Sequence, residues 1–237
     1  MPHAYSTLTG PRSASVRSGQ AQPHERLPEV LARHREAPWR APVPGHTAAA
    51  FEQVCRLLRA GESDRLVLDS GCGSGVSSRL LGEQLPGHVV IGIDRSAARL
   101  QRCGAHASAR RQGNCIWVRA ELAAFWRLAG RAGWRLRRHY LLYPNPWPKA
   151  RHLRRRWHAH PVFPDLLRLG GRLEMRCNWR VYADEFAAAV GLLTGLPIQP
   201  ERLCIDRPCS PHERKYLASG HALYAVVAEL GGAAAVA

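Results

Sequence analysis

The feature that most constrains this chain is a repeated alternation of short apolar runs with longer amphipathic segments. Seven apolar runs occur, at residues 65–71, 88–94, 114–121, 138–145, 172–178, 200–206 and 221–230. Most of the segments between them have the i, i+3, i+4 spacing of helices. Strands that alternate with helices pair in parallel. The pattern therefore predicts an α/β fold with a seven-stranded, mostly parallel sheet and helices on both faces.

The 237 residues suffice for one large domain or two small ones. From residue 25 onward we find no internal repeat and no second composition regime, so a single domain over residues 25–237 is expected. Residues 1–24 differ, because they are rich in Ser, Pro, Gly and Ala and contain no acidic residue. This composition predicts a flexible basic N-terminal tail.

Composition argues against several classes of protein. No apolar run approaches the length needed to cross a bilayer, and the first ten residues lack the apolar segment of a secretion signal. Seven cysteines are scattered without CxxC or Cys/His ligand spacing, at positions 55, 72, 103, 115, 177, 204 and 209. An odd, scattered set indicates reduced thiols rather than a disulfide framework or a metal site. We therefore expect a cytoplasmic protein with no membrane association and no bound metal.

The charge is strongly positive. Thirty-four Lys and Arg residues against 18 Asp and Glu give a net charge of +16 and a pI near 10.7. Such a chain is attracted to polyanions, of which nucleic acid is the usual one. The alternative is an arginine-rich composition without a polyanionic partner. Only two of the cations are lysines, Lys149 and Lys215.

A glycine-rich turn follows the first predicted strand. Asp69 ends that strand, and Gly71, Gly73 and Gly75 occupy alternate positions after it. Glycines at this spacing allow a tight turn and the close approach of a ligand. The second strand ends in Asp94, where a carboxylate can accept both hydroxyls of a ribose. The alternative is that Asp94 only caps the helix that follows.

An acid at the start of D-x-G-x-G-x-G points to S-adenosylmethionine, because nicotinamide folds space their glycines as G-x-G-x-x-G. In this interpretation Asp69 lies below the amino acid part of the ligand, and the glycines face its ribose. The third strand ends in Glu121, which can bind the adenine amino group. A solvated acid at a helix start is the alternative for Glu121.

The fourth strand ends in the heptapeptide "YPNPWPK", residues 143–149. In class I methyltransferases this position faces the sulfonium methyl group. Pro144 and Pro146 fix the backbone around Asn145, which makes Asn145 the candidate catalytic residue. Trp147 offers a flat surface for a base.

A basic segment with interleaved aromatic side chains begins at Lys149. Five cations occur in eight residues, at Lys149, Arg151, Arg154, Arg155 and Arg156. Beside a methyl donor, such a segment can hold RNA phosphates while a base enters the pocket. The alternative is a solvated basic helix face.

The stretch "YPNPWPKARHLRRRWHAHPVF", followed by "GGRLEMRCNWRVYADEF", resembles the bacterial tRNA (guanine-N7)-methyltransferase family. The signature of that family is PDPWPKKRHxKRR, then GGxLxxxTDWxxYxxxM/F. A late T-x-x-E element that contacts the target base has its counterpart in Ser210-Pro-His-Glu213. The resemblance spans residues 65–229 and implies a Rossmann-like class I methyltransferase fold, S-adenosylmethionine as cofactor, and tRNA as partner, with a guanine of the variable loop as target.

The resemblance also assigns roles to residues. The cofactor side chains of the family fall on Asp69, Asp94, Glu121 and Asn145. Its substrate contacts fall on Lys149, Asn178, Ser210 and Glu213. Three positions depart from the family pattern: Asn145 and Asn178 each replace an aspartate, and Ser210 replaces a threonine. The two amides remove negative charge near a site whose product is cationic.

Guanine N7 carries a lone pair and no proton, so the reaction needs alignment rather than a general base. We expect Trp147 or Trp179 to stack on the base and Glu213 to accept the protons on its N1 and N2. Lys149 and the arginines would bind phosphates. Two alternatives stay open. Asn145 with Pro146 and Trp147 is similar to the [N/D]-P-P-[Y/F/W] motif of enzymes that methylate exocyclic amines, and a tRNA-binding protein with little catalysis is the other. A monomer or weak homodimer is expected.

Overall fold

The computed structural model describes residues 13–231, which form one eight-stranded sheet with helices on both faces. The strands are β1 Leu66–Ser70, β2 Val89–Asp94, β3 Ala109–Gln112, β4 Cys115–Arg119, β5 Leu136–Leu142, β6 Gly171–Cys177, β7 Glu201–Arg202 and β8 Tyr224–Leu230. The helices are α1 Leu27–Glu36, α2 Gly45–Leu57, α3 Val76–Gln84, α4 Ala97–Leu100, α5 Leu122–Arg131, α6 Phe163–Arg168, α7 Arg180–Thr194 and α8 Pro211–Ala218.

The strand order is β3-β4-β2-β1-β5-β6-β8-β7. The five central strands from β4 to β6 are parallel, and β3, β8 and β7 pair with their neighbours in antiparallel fashion. In register, Asp69 of β1 lies between Gly92 of β2 and Tyr140 of β5. The carboxyl ends of all five parallel strands therefore meet at one edge of the sheet.

Both faces of the central strands are buried, which explains their nearly continuous apolar sequences. Leu66 and Leu68 of β1 pack into a core that includes α1, α2, α5, α6 and α7. Val67, between them, points to the opposite face and packs with Leu81 of α3 and Leu100 of α4. The alternation of side chains along a strand thus divides the helices between the two faces.

All seven predicted strands are present, and the structure adds an eighth. The additional strand, β3, has the polar sequence ARRQ and pairs with β4 at the edge of the sheet, where only Ala109 is buried. Residues 95–107, between the second and third predicted strands, form only the short helix α4 and a 3-10 turn, Gln101–Cys103. The short helix α8 was not predicted.

Residues 13–24, which we call the strap, lie against the domain. The Ser18 hydroxyl donates to the carbonyl oxygen of Pro148 at 2.6 Å, and the Gln20 amide donates to Glu185 at 2.6 Å. At the other end, the Ser13 amide donates to the Ser219 hydroxyl at 2.9 Å. The part of the predicted tail that covers residues 1–12 lies outside the described residues.

Three further properties hold for the described part of the chain. Residues 13–231 contain no helix that is both long and apolar enough to cross a membrane. The seven cysteines are all unpaired. No group of three or more His, Cys, Asp or Glu side chains within these residues could hold a metal ion.

Candidate active site

The glycine-rich turn and the "YPNPWPK" heptapeptide lie side by side. The turn follows β1 and the heptapeptide follows β5, and these two strands are paired neighbours in the sheet. Asp94 ends β2, on the other side of β1. The segments on which the sequence analysis placed the methyl donor and the acceptor therefore meet at one edge of the sheet. This is where ligands bind in open α/β sheets.

The turn after β1 has a backbone that suits glycine. Gly71, Gly73 and Gly75 all have positive φ, at 85°, 59° and 73°. A Cβ at Gly71 or Gly73 would meet no atom within 4 Å, so the space beside this part of the turn is open. A Cβ at Gly75 would overlap the indole of Trp117, which explains the glycine there as a packing requirement.

Asp94 joins the end of β2 to the glycine turn. Its carboxylate accepts hydrogen bonds from the backbone amides of Gly73, at 3.0 Å, and Ser96, at 2.8 Å. The side chain is only 5% exposed. The residue that caps α4 is Ser96, whose hydroxyl accepts from the amide of Arg99. Asp94 thus holds the glycine turn in place beside the open space.

Asp69 is fully enclosed. One oxygen of its carboxylate accepts hydrogen bonds from the hydroxyls of Ser77, at 2.6 Å, and Ser78, at 2.7 Å. Burial raises the pKa of Asp69, and the two serine hydrogen bonds oppose that rise. These contacts hold the first turn of α3 against β1, so Asp69 supports the turn from below.

Glu121 lies at the start of α5, just beyond β4. Its side chain is exposed and makes no capping hydrogen bond, while its backbone amide donates to the Thr47 hydroxyl at 3.1 Å. The carboxylate is therefore available to a ligand at the carboxyl edge of the sheet.

The heptapeptide forms a corner with an unusual backbone. Tyr143 and Trp147 are the two non-glycine residues with positive φ within residues 13–231, at 53° and 45°. The exposed Asn145 accepts a hydrogen bond from the Trp147 amide through Oδ1, at 3.3 Å. Arg156 donates twice to the Trp147 carbonyl oxygen, both at 3.2 Å. Such strained conformations persist only where the surroundings hold them, and they are frequent at functional sites.

The two tryptophans suggested for base stacking have different surroundings. Trp147 is half-buried, with the Arg155 guanidinium 4.8 Å from its ring centroid and the edge of His152 at 5.6 Å. Trp179 is buried, and the Arg156 guanidinium lies 4.9 Å from its ring centroid. The geometry favours Trp147 as the surface for a base.

The basic segment divides into exposed and buried cations. Lys149, Arg151, Arg154 and Arg155 are exposed, but Arg156 is 0% exposed. The segment was expected to hold phosphates, and the enclosed Arg156 is not accessible for that role. Arg154 lies toward α1, where burial and then this arginine lower the pKa of His34.

Sequence reasoning missed the partner of Arg156. Glu185, on the buried face of α7, accepts from the Arg156 guanidinium at 2.5 Å and from His158 at 2.9 Å. Its other oxygen accepts from the Gln20 side chain and the His24 amide. Burial raises the pKa of Glu185, but the hydrogen bonds and charges of His158 and Arg156 outweigh burial and place the pKa at about 2. The one signal in the sequence that could have indicated this buried partner was a glutamate among the apolar residues of α7.

The late Ser-x-x-Glu element is also buried. Ser210 caps α8 by accepting from the Glu213 amide at 3.1 Å. The Glu213 carboxylate is 0% exposed and accepts from Tyr143, Arg176 and the Cys209 amide. Its oxygens are thus engaged within the protein, so the direct guanine contact expected of Glu213 stays a prediction.

Asn178 follows β6 at the same edge of the sheet. Its side-chain nitrogen lies 3.0 Å from Nδ1 of His221, whose other ring nitrogen lies 2.9 Å from the Ser13 carbonyl oxygen. Asn178 is half-buried. It connects the end of β6 to the strap through a single imidazole.

The residues at this edge fit S-adenosylmethionine. The open space at Gly71 and Gly73 admits a ligand that a side chain would block. A carboxylate at the end of β2 and another beyond β4 provide acceptors for hydroxyl and amino groups.

A sheet of this order, with a glycine-rich turn after its first strand and an acid after the second, defines a Rossmann-like class I S-adenosylmethionine-dependent methyltransferase. Solved structures agree on the fold. An antibiotic-related methyltransferase is 14% identical with a TM-score of 0.50, covering 76% of this chain and 94% of its own. The 16S rRNA methyltransferase KamB is 17% identical with a TM-score of 0.50, covering 81% of this chain and 95% of its own.

The sequence gives the family. Residues 63–224 match the model of the family described as "Putative methyltransferase", and the chain belongs to that methyltransferase family. A tRNA (guanine-N(7)-)-methyltransferase of Mycobacterium avium (strain 104) is 31% identical over 178 residues, which cover 69% of this chain and 65% of that protein. One of Mycolicibacterium gilvum (strain PYR-GCK) is 28% identical over 224 residues, 87% of this chain and 80% of its own.

Proposed function

We propose that this protein transfers a methyl group from S-adenosylmethionine to N7 of a guanine in tRNA, in the cytoplasm, and that the guanine lies in the variable loop. The observation that carries the proposal is the adjacency of the glycine turn, Asp94 and the Trp147 corner at one sheet edge, with exposed cations beside them. The names of the relatives at 28–31% identity support the same reaction.

The cofactor would be held by the turn after β1. Gly71 and Gly73 allow its close approach, and Asp94 keeps the turn in shape while presenting a carboxylate to the ribose. Glu121 is free to accept the adenine amino group. Asp69 acts indirectly, by holding α3 in place. When bound, S-adenosylmethionine supplies an electrophilic methyl group that the N7 lone pair of guanine accepts.

The acceptor base would lie on Trp147. Because N7 carries no proton, no side chain needs to act as a base, and the chain's task is to align the acceptor. The Trp147 ring is half-buried on a corner fixed by Asn145 and Arg156, which suits a stacking surface. Stacking of a base on an aromatic ring contributes about 1–3 kcal/mol.

The RNA backbone would be bound by the exposed cations Lys149, Arg151 and Arg155. Arg154, which lies toward α1, would be a more distant phosphate contact. Ser210 and Glu213 would contribute indirectly, by positioning Tyr143 at the start of the corner. Asn178 and Trp179 would contribute through their contacts with His221 and Arg156.

Methylation of an exocyclic amine is less well supported. The motif of that chemistry, [N/D]-P-P-[Y/F/W], has a second proline directly after the first, and here Trp147 follows Pro146. The N7 reaction does not depend on this motif.

The test is nucleoside analysis by mass spectrometry of tRNA incubated with the protein and S-adenosylmethionine, and of tRNA from cells with and without the protein. We expect 7-methylguanosine in both comparisons. N2-methylguanosine or N6-methyladenosine would replace the proposal with the exocyclic alternative. Background incorporation with intact tRNA binding would indicate a binding protein without catalysis.

A further inference from the structure

A groove of about 770 Å³ separates the strap from the Trp147 corner. Its lining consists of Arg17, Ser18, Gly19 and Gln20 on one wall and Pro148, Lys149 and Ala150 on the other. No acidic residue is among them, and each wall contributes one cation. Gly19 and Ala150 have little or no side chain, which leaves room for a bulky chain such as a nucleic acid backbone.

The strap wall is held by specific contacts rather than by proximity alone. The Ser18 hydroxyl donates to the Pro148 carbonyl oxygen at 2.6 Å, so the two walls meet at this point. Gln20 donates to Glu185 at 2.6 Å and accepts from Arg156 at 2.9 Å. Because Arg156 also binds the Trp147 carbonyl, one buried network fixes both walls of the groove.

The two cations of the groove are available to a ligand. Arg17 and Lys149 are exposed, and neither forms an ion pair with an acidic residue within residues 13–231. Two exposed cations in one groove whose lining contains no acidic residue suit a bound anion. The groove runs directly beside the corner on which we place the acceptor base.

We infer that the strap forms one wall of an RNA-binding groove in which Arg17 contacts a backbone phosphate opposite Lys149. The inference rests on the proposed function and extends it to the N-terminal segment. RNA is the partner because one wall of the groove, Pro148 to Ala150, directly follows Trp147 in the chain, so a base on that ring would place its phosphates near a groove lined by two cations and no acid. Gln20 is a positioning residue, which acts by holding Arg17 at the groove.

The experiment measures tRNA affinity over a series of salt concentrations for the full chain and for Arg17→Ala and Gln20→Ala. Two matched controls are available. Arg131→Ala removes an exposed arginine at the end of α5, at the opposite edge of the sheet, and Gln22→Ala removes an exposed glutamine of the strap itself.

For Arg17→Ala we expect a three- to tenfold loss of tRNA affinity at about 0.1 M salt, and a salt slope reduced by about 0.7–0.9, the value for one phosphate contact. Gln20→Ala should also lower both the tRNA affinity and the salt slope. Arg17→Lys should restore the slope, because the charge returns. The controls should match the unaltered protein. Arg17→Ala with an unchanged affinity and salt slope would overturn the inference.

Labelled methyl transfer on the same preparations separates this inference from the proposed function. We expect Arg17→Ala to raise KM for tRNA while kcat and the affinity for S-adenosylmethionine stay the same. If the unaltered protein transfers methyl groups but Arg17→Ala behaves identically, only the groove assignment fails. If the unaltered protein transfers none to any tRNA, the proposed function fails.

Discussion

The Tyr143 hydroxyl donates a 2.6 Å hydrogen bond to Oε1 of Glu213, and this bond ties the corner after β5 to helix α8. Arg176 of β6 donates to the same oxygen at 2.9 Å, and the Cys209 amide donates to the other at 2.6 Å. Burial and then the Glu213 charge raise the pKa of Tyr143, so its hydroxyl keeps its proton and remains a donor. One buried carboxylate thus joins three segments around the candidate site.

Replacing Glu213 by Ala should therefore destabilise the fold and lower activity on RNA. The Tyr143 hydroxyl and the Cys209 amide would each lose their acceptor, at about 1–3 kcal/mol for a buried group, while Arg176 keeps its 2.6 Å ion pair with Glu174. Tyr143→Phe should cost only about 1 kcal/mol, the loss of one hydrogen bond. Urea unfolding checks both values. Calorimetry on folded Glu213→Ala should show cofactor binding retained. Equal stability of Glu213→Ala and the unaltered protein would refute the supporting role.

Gly73→Ala should weaken S-adenosylmethionine binding at least tenfold, since its Cβ would project into the open space beside the turn. Gly61→Ala is the matched control, because Gly61 also has positive φ, at 76°, and also has open space around it, but lies away from the site. Each change should cost about 1 kcal/mol of stability through backbone strain. Isothermal calorimetry should separate the two variants. Equal cofactor affinities would place the ligand elsewhere.

Trp147→Ala should lower methyl transfer to tRNA by about 5- to 150-fold, which corresponds to the 1–3 kcal/mol of one stacked base. Trp147→Phe should recover most of the rate, because a smaller aromatic ring still offers a flat surface. Steady-state kinetics with tRNA gives the comparison, and cofactor affinity serves as the control for local folding. Full activity of Trp147→Ala would exclude the ring as the stacking surface.

Asn145→Asp should raise affinity for S-adenosylmethionine relative to its demethylated product by up to about fivefold. The added carboxylate would attract the sulfonium charge, which the product lacks, and an exposed pair of charges contributes up to about 1 kcal/mol. An aspartate can still accept the hydrogen bond from the Trp147 amide. The ratio of the two dissociation constants is the measurement. An unchanged ratio would show that residue 145 lies far from the sulfur.

Glu62 makes a pH-dependent contribution to stability. Two 2.7 Å bonds join its carboxylate to Arg111, and this hydrogen bonding lowers the pKa of Glu62 from 4.5 to about 2. Because the pKa is lower in the folded state, the stabilisation is full above about pH 4.5 and is lost as the pH falls toward 2. At pH 7 it amounts to at most about 3 kcal/mol.

Unfolding of Glu62→Gln at a series of pH values checks that sign. The variant should be less stable than the unaltered protein at pH 7, and the difference should shrink between pH 4.5 and 2. Glu52→Gln is the control, because the Glu52–Arg56 pair is longer, at 3.9 Å, and largely exposed. A difference that grows toward low pH would contradict the assignment.

The architecture of the site was predictable because it depends on local sequence. Apolar runs gave the strands, and the rule that parallel strands place their carboxyl ends together brought Asp94, Glu121 and Asn145 to one edge. The polar edge strand β3 escaped prediction because an edge strand buries few of its side chains. Its pairing with β4 gives it its structure.

Burial of charge was not predictable. Arg155 and Arg156 are adjacent in the sequence, yet one lies over the Trp147 ring in solvent and the other is enclosed. The difference depends on Glu185, 29 positions away, and on Gln20, 136 positions away. Contacts at such separations leave no periodic signal, and a run of arginines is by itself typical of an exposed surface.

The backbone carbonyl of Trp147 accepts from the buried guanidinium of Arg156, and this contact has a consequence for any nucleic acid that binds here. The backbone at residue 147 cannot move without breaking its bonds to Arg156, which Glu185 holds in place in the interior. The indole can therefore adapt only by rotation of its own side chain. Under the proposed function, a base has to leave its own stack to reach this ring, so flexible, weakly paired stretches of RNA would be the favoured substrates.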